Sequence, residues 1–259
     1  MKPNPFINRV CHSLILRLAV LLVVLAWSSH AFCGEIHDAA KAGDLVKVKA
    51  LLNANPDLVN NNDTNGWTPL ELAAANNRED VVKLLLASKA DVNAQDNVGL
   101  TPLHCAVNNG YTNVVVVLLA NKADINVRAK NGQTPLHLAS SQNRKDMVEL
   151  LLTNKADSKA TDRLGYTPLH FVRSKSVAEL LLANGSDVNA KNQSGDTPLH
   201  CVIDYVHFNR EFLRPTPQDE TNFANLMDLL RQHGGTNNLN SNTNRQSVPN
   251  TNWREGGPF

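Results

Sequence analysis

Four histidines recur in this chain at intervals of 33, 33 and 30 residues. They are His104, His137, His170 and His200. Imidazole is a common ligand of transition metals, so a metal site is one chemistry that they could support. After the last of them, Asp204 and His207 follow at spacings of four and three residues. Such spacings place side chains on one face of a helix, which is compatible with metal binding.

Motifs of known catalytic chemistry are not found in the sequence. It contains no Gly-x-Ser-x-Gly, no phosphate-binding glycine-rich loop, no Cys-x-x-Cys and no His-Glu-x-x-His. The remaining place for an enzyme or a metal site is the segment 202–222, which interrupts the regular spacing. We therefore predict that the chain is not an enzyme and has neither a cofactor nor a metal.

The elements that carry these histidines begin with a repeated Thr-Pro-Leu. It starts at Thr68, Thr101, Thr134, Thr167 and Thr197. Threonine is a good N-cap, and proline suits the first position of a helix, so each copy predicts a helix start. A later run such as Val81-Val82-Lys83-Leu84-Leu85-Leu86 predicts a second, amphipathic helix. A period near 33 residues predicts an all-α solenoid of about six helix-turn-helix repeats.

This pattern resembles the ankyrin repeat. Residues 68–100 match it nearly throughout, ending in Ala90-Asp91-Val92-Asn93-Ala94, and residues 101–133 and 134–166 match at full length. Repeat 167–196 is three residues short, and we place the loss between its two helices, after Phe171-Val172-Arg173. The first repeat, 34–67, is degenerate. The sixth, 197–236, is stretched before a second helix predicted at Leu226 to Gln232.

The resemblance implies protruding β-turn fingers, at turns such as Asp63-Thr64-Asn65-Gly66, and a function in binding proteins. It also implies a structural histidine that bonds the threonine of its own repeat and the backbone of the next. Glu71 replaces this histidine in the second repeat, which is expected to lose one such connection. Stacked repeats lie about 10 Å apart, too far for their histidines to share one ion.

Lysine departs from the family pattern at the end of the second helix. Lys89, Lys122 and Lys155 stand where the family has glycine, which only Gly185 retains. A left-handed lysine costs on the order of 1 kcal/mol relative to glycine. The turn must therefore accept that strain or adopt another conformation, and Ser88, Asn121 or Asn154 is expected to help cap the helix.

The N-terminus has the pattern of a secretory signal peptide, predicted over residues 1–33. Three basic residues precede the apolar run Leu18 to Trp27, and cleavage is expected after Ala31 or Cys33. The run is about half the roughly 20 residues that span a membrane, so a retained anchor is the weaker alternative. A lipid anchor at Cys33 lacks the usual preceding residues. We predict a periplasmic or secreted protein, with a bacterial source favoured.

Charge and cysteine positions limit the partners and cross-links. Loss of three basic residues with the signal changes the net charge from +1 to −2, and no basic cluster indicates nucleic-acid binding. Cys105 and Cys201 lie three repeats apart, about 30 Å in a stack, whereas a disulfide needs Cα atoms within about 7 Å. Both are predicted to be buried thiols. We expect a monomer.

Partner binding in this family uses the finger tips and the exposed side of the first helices. The matching positions here are Asn65, Trp67, Asn76, Val98, Leu100, Asn108, Asn109, Lys130, Gln133, Ser141, Gln142, Arg163, Leu164 and Tyr166. Trp67 and Tyr166 are the candidate anchors, because exposed aromatic residues are enriched among energetic hot spots. The alternative is that each ring packs on the adjacent finger.

The predicted organisation is a signal peptide, a repeat domain over 34–236 and a tail over 237–259. The tail is rich in asparagine, serine and threonine, which predicts disorder. The predicted function is non-catalytic binding of a protein partner after export. A structural or stabilising component of the cell envelope, without a discrete ligand, is the alternative. The sequence does not identify the partner.

Overall fold

A computed structural model describes residues 34–212 and 215–237. The predicted signal peptide, and the predicted tail from residue 238 onward, lie outside these ranges. All regular elements in the described ranges are helical. None of the helices found there is long and apolar enough to cross a membrane. The chain divides into two compact units between Asp91 and Val92.

The N-terminal unit, residues 34–91, holds two helical hairpins. Its helices are α1 (34–42), α2 (Leu45–Ala54), α3 (Pro69–Ala75) and α4 (Glu79–Ala87). A 3₁₀ helix, Pro56–Asn60, follows α2 and contains the region where the degenerate repeat has its extra residue. It is capped by Asn55, whose Oδ1 accepts the N–H of Asp57 at 3.2 Å.

The C-terminal unit, from Val92 to residue 237, continues the pattern of paired helices. Its helices are α5 (Pro102–Asn109), α6 (Thr112–Ala120), α7 (Pro135–Ser141), α8 (Lys145–Thr153), α9 (Lys175–Ala183), α10 (Pro198–Phe212) and α11 (Pro217–Gln232). The 3₁₀ helix Pro168–Phe171 precedes α9 and packs against both α7 and α10. This element order is that of an all-helical repeat solenoid.

Each predicted helix start is confirmed where the structure gives its cap. Thr68, Thr101, Thr134 and Thr167 each occupy an N-cap position in a capping box, with proline following. The leucine after each proline is almost wholly buried, as Leu103 and Leu136 show. Burying one such side chain contributes about 1.5–3 kcal/mol, so the same three residues both start the helix and fix it to the core.

The prediction of where repeat 167–196 lost three residues was wrong. The segment 172–174, between the 3₁₀ helix and α9, is as long as the segment 142–144, between α7 and α8. The loss falls instead in the first helix, which shrinks from the seven residues of α7 to the four residues of a 3₁₀ helix. Val172 is extended, which ends the helical backbone there.

The predicted start of the last helix was also wrong. α11 begins at Pro217 rather than Leu226, because Thr216 and Asp219 form a capping box ahead of it. α10 is likewise extended to 15 residues. The described part of the segment 202–222 therefore consists mainly of the end of one helix and the start of the next.

Of the two alternatives for the lysines that replace the family glycine, the structure confirms the strained, left-handed conformation. Lys89, Lys122 and Lys155 have φ of 69°, 68° and 69°, so each lysine adopts the left-handed conformation. The preceding residue is the C-cap, and Asn121 and Asn154 also bond the helix with their side chains, at 2.9 Å to the carbonyls of Val117 and Leu150.

Cys105 and Cys201 are thiols rather than members of a disulfide, as predicted. Cys105 is buried, but the prediction of full burial was wrong for Cys201, which is half-buried on the first turn of α10.

Candidate functional site

In most of the fingers, an aspartate of that finger closes the turn by accepting two backbone N–H groups. Oδ1 of Asp96 accepts the N–H groups of Val98 at 2.9 Å and Leu100 at 2.8 Å. Asp162 does the same for Leu164 and Tyr166, both at 2.9 Å. Burial raises the pKa of Asp162, and these N–H donors act in the opposite direction. The turn is held from within, so its tip is presented in a fixed conformation.

The same device recurs with variations. Asp63 accepts the N–H groups of Asn65 and Trp67 in the N-terminal unit, each at 2.8 Å. In the finger of residues 128–133, Ala129 occupies the acidic position, and Asn131 accepts a single N–H, that of Gln133, at 3.0 Å. This finger therefore lacks the carboxylate that accepts two backbone N–H groups in its neighbours.

Adjacent fingers of the C-terminal unit are joined through their backbones. The N–H of Lys130 donates to Val98 O at 3.0 Å, and the N–H of Gln193 donates to Leu164 O at 2.9 Å. At the same tips the side chains of Val98 and Leu164 are 53% and 50% exposed. The result is a row of rigid tips that presents isolated apolar side chains to solvent.

The recurring histidines connect each first helix to the next finger. Nδ1 of His137 accepts the N–H of Thr134 at 3.1 Å, which leaves the proton on Nε2. Nε2 then donates to Tyr166 O at 3.0 Å. Two other histidines make the same contacts; the carbonyls that they bond are Gln133 O at 3.2 Å for His104 and Asp196 O at 3.1 Å for His170.

Burial fixes the charge of these histidines. It lowers the pKa of His104 and His137 to about 4 in each case, and it lowers the pKa of His170 as well. The imidazoles are therefore neutral at pH 7, and both nitrogens are engaged in the fold. The three side chains act in structure rather than in chemistry.

Two positions of the histidine register differ from the other three. Glu71 keeps the capping role, because its Oε2 accepts the N–H of Thr68 at 2.6 Å and its hydroxyl at 2.9 Å. His37 makes the contact to a finger in the N-terminal unit, with Nε2 at 2.9 Å from Asn61 O and 3.0 Å from Trp67 O. Sequence reasoning placed His37 at the opening of the degenerate first repeat, ahead of Ala39-Ala40, but did not predict its contact with the finger.

The candidate metal face on α10 is only partly assembled. Nε2 of His200 lies 3.4 Å from Oδ2 of Asp204, and its Nδ1 lies 2.9 Å from Oδ1 of Asn237. His207 is exposed. Across the described ranges, no group of three histidine, cysteine or acidic side chains is arranged to hold a metal ion.

The family comparison agrees with this architecture. A family model described as ankyrin repeats matches residues 36–129, 90–162 and 123–192 in three overlapping copies. Together they cover more than half of the 259-residue chain. The chain belongs to the ankyrin-repeat family. Ankyrin repeats are generally protein–protein interaction modules, and such domains are generally non-catalytic.

All the predicted partner-binding positions of this ankyrin protein retain some exposure. Those that are exposed are Asn65, Val98, Lys130, Ser141, Gln142, Arg163 and Leu164. Those that are half-buried are Trp67, Asn76, Leu100, Asn108, Asn109, Gln133 and Tyr166. Several of the polar side chains donate hydrogen bonds to backbone carbonyls of the protein itself. The amide of Asn76 donates to Leu72 O at 2.8 Å, and Nζ of Lys130 donates to Asn97 O at 2.8 Å.

Tyr166 packs on rings of the following ankyrin repeat. Its ring centroid lies 5.5 Å from those of both His170 and Phe171. Burial raises the pKa of its phenol. Part of the ring is therefore already covered within the fold, and its role as an anchor stays a prediction.

The aromatic side chains of α10 were missed as candidate site residues. Phe208 and Phe212 are exposed, and their centroids lie 4.9 Å apart. Their spacing of four residues was the available signal, but it is visible only once residues 202–212 are assigned to a helix.

Proposed function

We propose that this ankyrin-repeat chain is a non-catalytic binding protein that holds a protein partner on its finger tips and first helices after export. The row of tips in the C-terminal unit carries the proposal. Backbone pairing fixes the tips, while the side chains of Val98 and Leu164 stay exposed. Rigid presentation lowers the entropy that binding must overcome, and exposed apolar side chains supply area to bury.

The N-terminal unit adds a similar surface of its own. Asn65 is exposed on the finger closed by Asp63, and half-buried Trp67 follows it. Tryptophan is enriched among interface hot spots, so Trp67 remains the candidate anchor of this unit.

Site-specific photo-crosslinking tests the proposed surface. A benzophenone amino acid is placed at Val98 or Leu164, and at Val116 on the second helix α6 as control. The three native side chains are equally exposed, at 53%, 50% and 49%. We expect discrete partner adducts from the two finger positions and none from Val116. Adducts that form only at Val116, or equally at all three positions, would show that the fingers are not the binding face.

Export is tested by N-terminal sequencing of the protein recovered from the periplasm or medium. Cleavage after Ala31 or Cys33 would give a mature chain starting at Phe32 or Gly34. Recovery of a chain that begins at Met1 would contradict export with cleavage.

A further inference from the structure

Arg173 has no acidic partner in the described part of the protein. Its guanidinium Nη1 donates to Val172 O at 2.7 Å and His170 O at 3.4 Å, and its Cζ lies 4.2 Å from the ring centroid of Tyr205. None of the ion pairs among the described residues involves it. By contrast, Arg210 pairs with Glu220, with Nε 2.7 Å from Oε1.

The surroundings of Arg173 desolvate its guanidinium, but the described residues there supply no carboxylate to balance its charge. Burial lowers the pKa of its guanidinium, and the opposing groups are Tyr205 and Cys201 rather than a carboxylate. A partly desolvated cation gains more from an anion than an exposed one does, because screening by water is reduced.

Tyr205 begins an apolar stripe along α10. Tyr205, Phe208 and Phe212 are spaced three and four residues apart, so they lie on one face of the helix. Tyr205 is half-buried between Arg173 and the ring of Phe223, whose centroid is 5.7 Å away. Phe208 and Phe212 are 44% and 62% exposed. The stripe is thus covered at one end and open to solvent at the other.

The length of α10 leaves this stripe accessible. The neighbouring first element, Pro168–Phe171, has four residues, whereas α10 has 15. At about 2.0 Å per 3₁₀ residue and 1.5 Å per α residue, their lengths are about 8 and 22 Å. Because both begin at equivalent prolines, the second half of α10 extends past the end of its neighbour.

We propose that Arg173 with Tyr205, Phe208 and Phe212 forms a second docking surface, for a partner peptide that combines a carboxylate with aromatic or branched aliphatic side chains. The carboxylate pairs with Arg173, and the apolar side chains cover Phe208 and Phe212. Tyr205 and Phe212 are about 10 Å apart along the helix, which an extended peptide spans in about three residues. The proposal rests on protein binding as the proposed function and adds to it a surface distinct from the fingers.

Selection from a random 12-residue peptide library on the purified full chain tests this. We expect the recovered peptides to carry aspartate or glutamate within about three residues of tryptophan, phenylalanine, leucine or isoleucine. Affinity of a synthesised peptide should fall at least tenfold for Arg173→Met and for the double variant Phe208→Ser with Phe212→Ser. Arg231→Met, which removes an exposed arginine of α11 outside both proposed surfaces, should leave it unchanged.

A change in the peptide covers the case in which Arg173→Met does not fold. Replacing the peptide's glutamate with glutamine leaves the protein intact and should cause the same tenfold loss. Recovered peptides without an acidic residue, or equal affinity for Arg173→Met and the native chain, would overturn the proposal. So would binding that appears only after residues 238–259 are removed, since the chain's own tail would then be the occupant. The crosslinking test at Val98 and Leu164 is independent of the peptide test. A negative result for one surface therefore leaves the proposal for the other surface standing.

Discussion

Acid should destabilise the C-terminal unit through its buried histidines. The pKa of His104 and of His137 is about 4 in the folded chain, against 6.5 for an exposed imidazole. Below pH 6.5 the unfolded chain therefore takes up protons that the folded chain does not. Their contribution to stability is fully present above pH 6.5 and is lost as the pH falls towards 4.

The size of the effect follows from that difference. Each pH unit in this window removes about 1.4 kcal/mol per histidine. Lowering the pH from 6.5 to 5 therefore removes about 2 kcal/mol for each of the two, or about 4 kcal/mol together. The main physical cause is burial of the two imidazoles, which disfavours their charged form. In addition, a protonated Nδ1 would point a donor at the N–H of Thr101 or Thr134, which is itself a donor.

Urea unfolding followed by circular dichroism at pH 7.0 and pH 5.0 measures this loss. In His137→Gln, the free energy of unfolding should fall less between the two pH values than in the native chain, by about 2 kcal/mol. At pH 7.0 the variant should be less stable by about 1–3 kcal/mol, because Tyr166 O loses its donor. His207→Gln removes an exposed histidine and serves as control. An equal loss in His137→Gln and the native chain would refute the reasoning.

Four further substitutions test the finger and turn geometry by thermal unfolding. In Gly132→Ala, with φ of 85°, the new Cβ would lie 2.7 Å from Arg163 N, whereas in Gly195→Ala, with φ of 82°, nothing lies within 4 Å. The first should cost about 1–3 kcal/mol more than the second, and equal costs would contradict the finger pairing. Ala129→Asp should add about 1 kcal/mol by restoring the acidic closure of its finger, so an unchanged or lower melting temperature would count against that role. Lys122→Gly, at φ of 68°, should stabilise by up to about 1 kcal/mol; a destabilised variant would show that the lysine is not strained.

Helix starts could be predicted from the sequence because their determinants are local. The threonine cap, the proline after it and the buried leucine are consecutive residues, so Thr101 and Thr134 report their helices without knowledge of the rest of the fold. The left-handed lysines such as Lys89 were half-predicted: the register marked the position, but the backbone was needed to show which conformation it took.

The sequence shows which two repeats change in length, but it does not show which element of each repeat is shortened or lengthened. A loss of three residues changes the spacing from 33 to 30 whether it shortens a turn or a helix. The outcome depends on whether the 3₁₀ helix Pro168–Phe171 can still fill the space between α7 and α10, which is a matter of packing. In the last repeat, Pro217 could have marked a helix start, since Thr216 and Asp219 around it form a capping box.

The candidate site likewise has a part that could be predicted from the sequence and a part that could not. Positions on the fingers follow from register, so Val98 and Leu164 were found from sequence and are exposed. The contact between Arg173 and Tyr205 joins residues 32 apart in the chain and depends on the lengths of two helical elements. Register gives Arg173 no special role, because its position in a repeat is an ordinary turn.

The irregular repeats are therefore where this protein differs most from a plain stack. A regular ankyrin repeat uses its polar groups internally, as His104 and His137 do, and leaves specificity to the exposed tips. Shortening one first helix to four residues and lengthening the next to 15 places a cation beside a stripe of rings that the regular spacing would not bring together. If restoring three helical residues after Phe171 left peptide affinity for this surface unchanged, the shortening of this first helix would not be its cause.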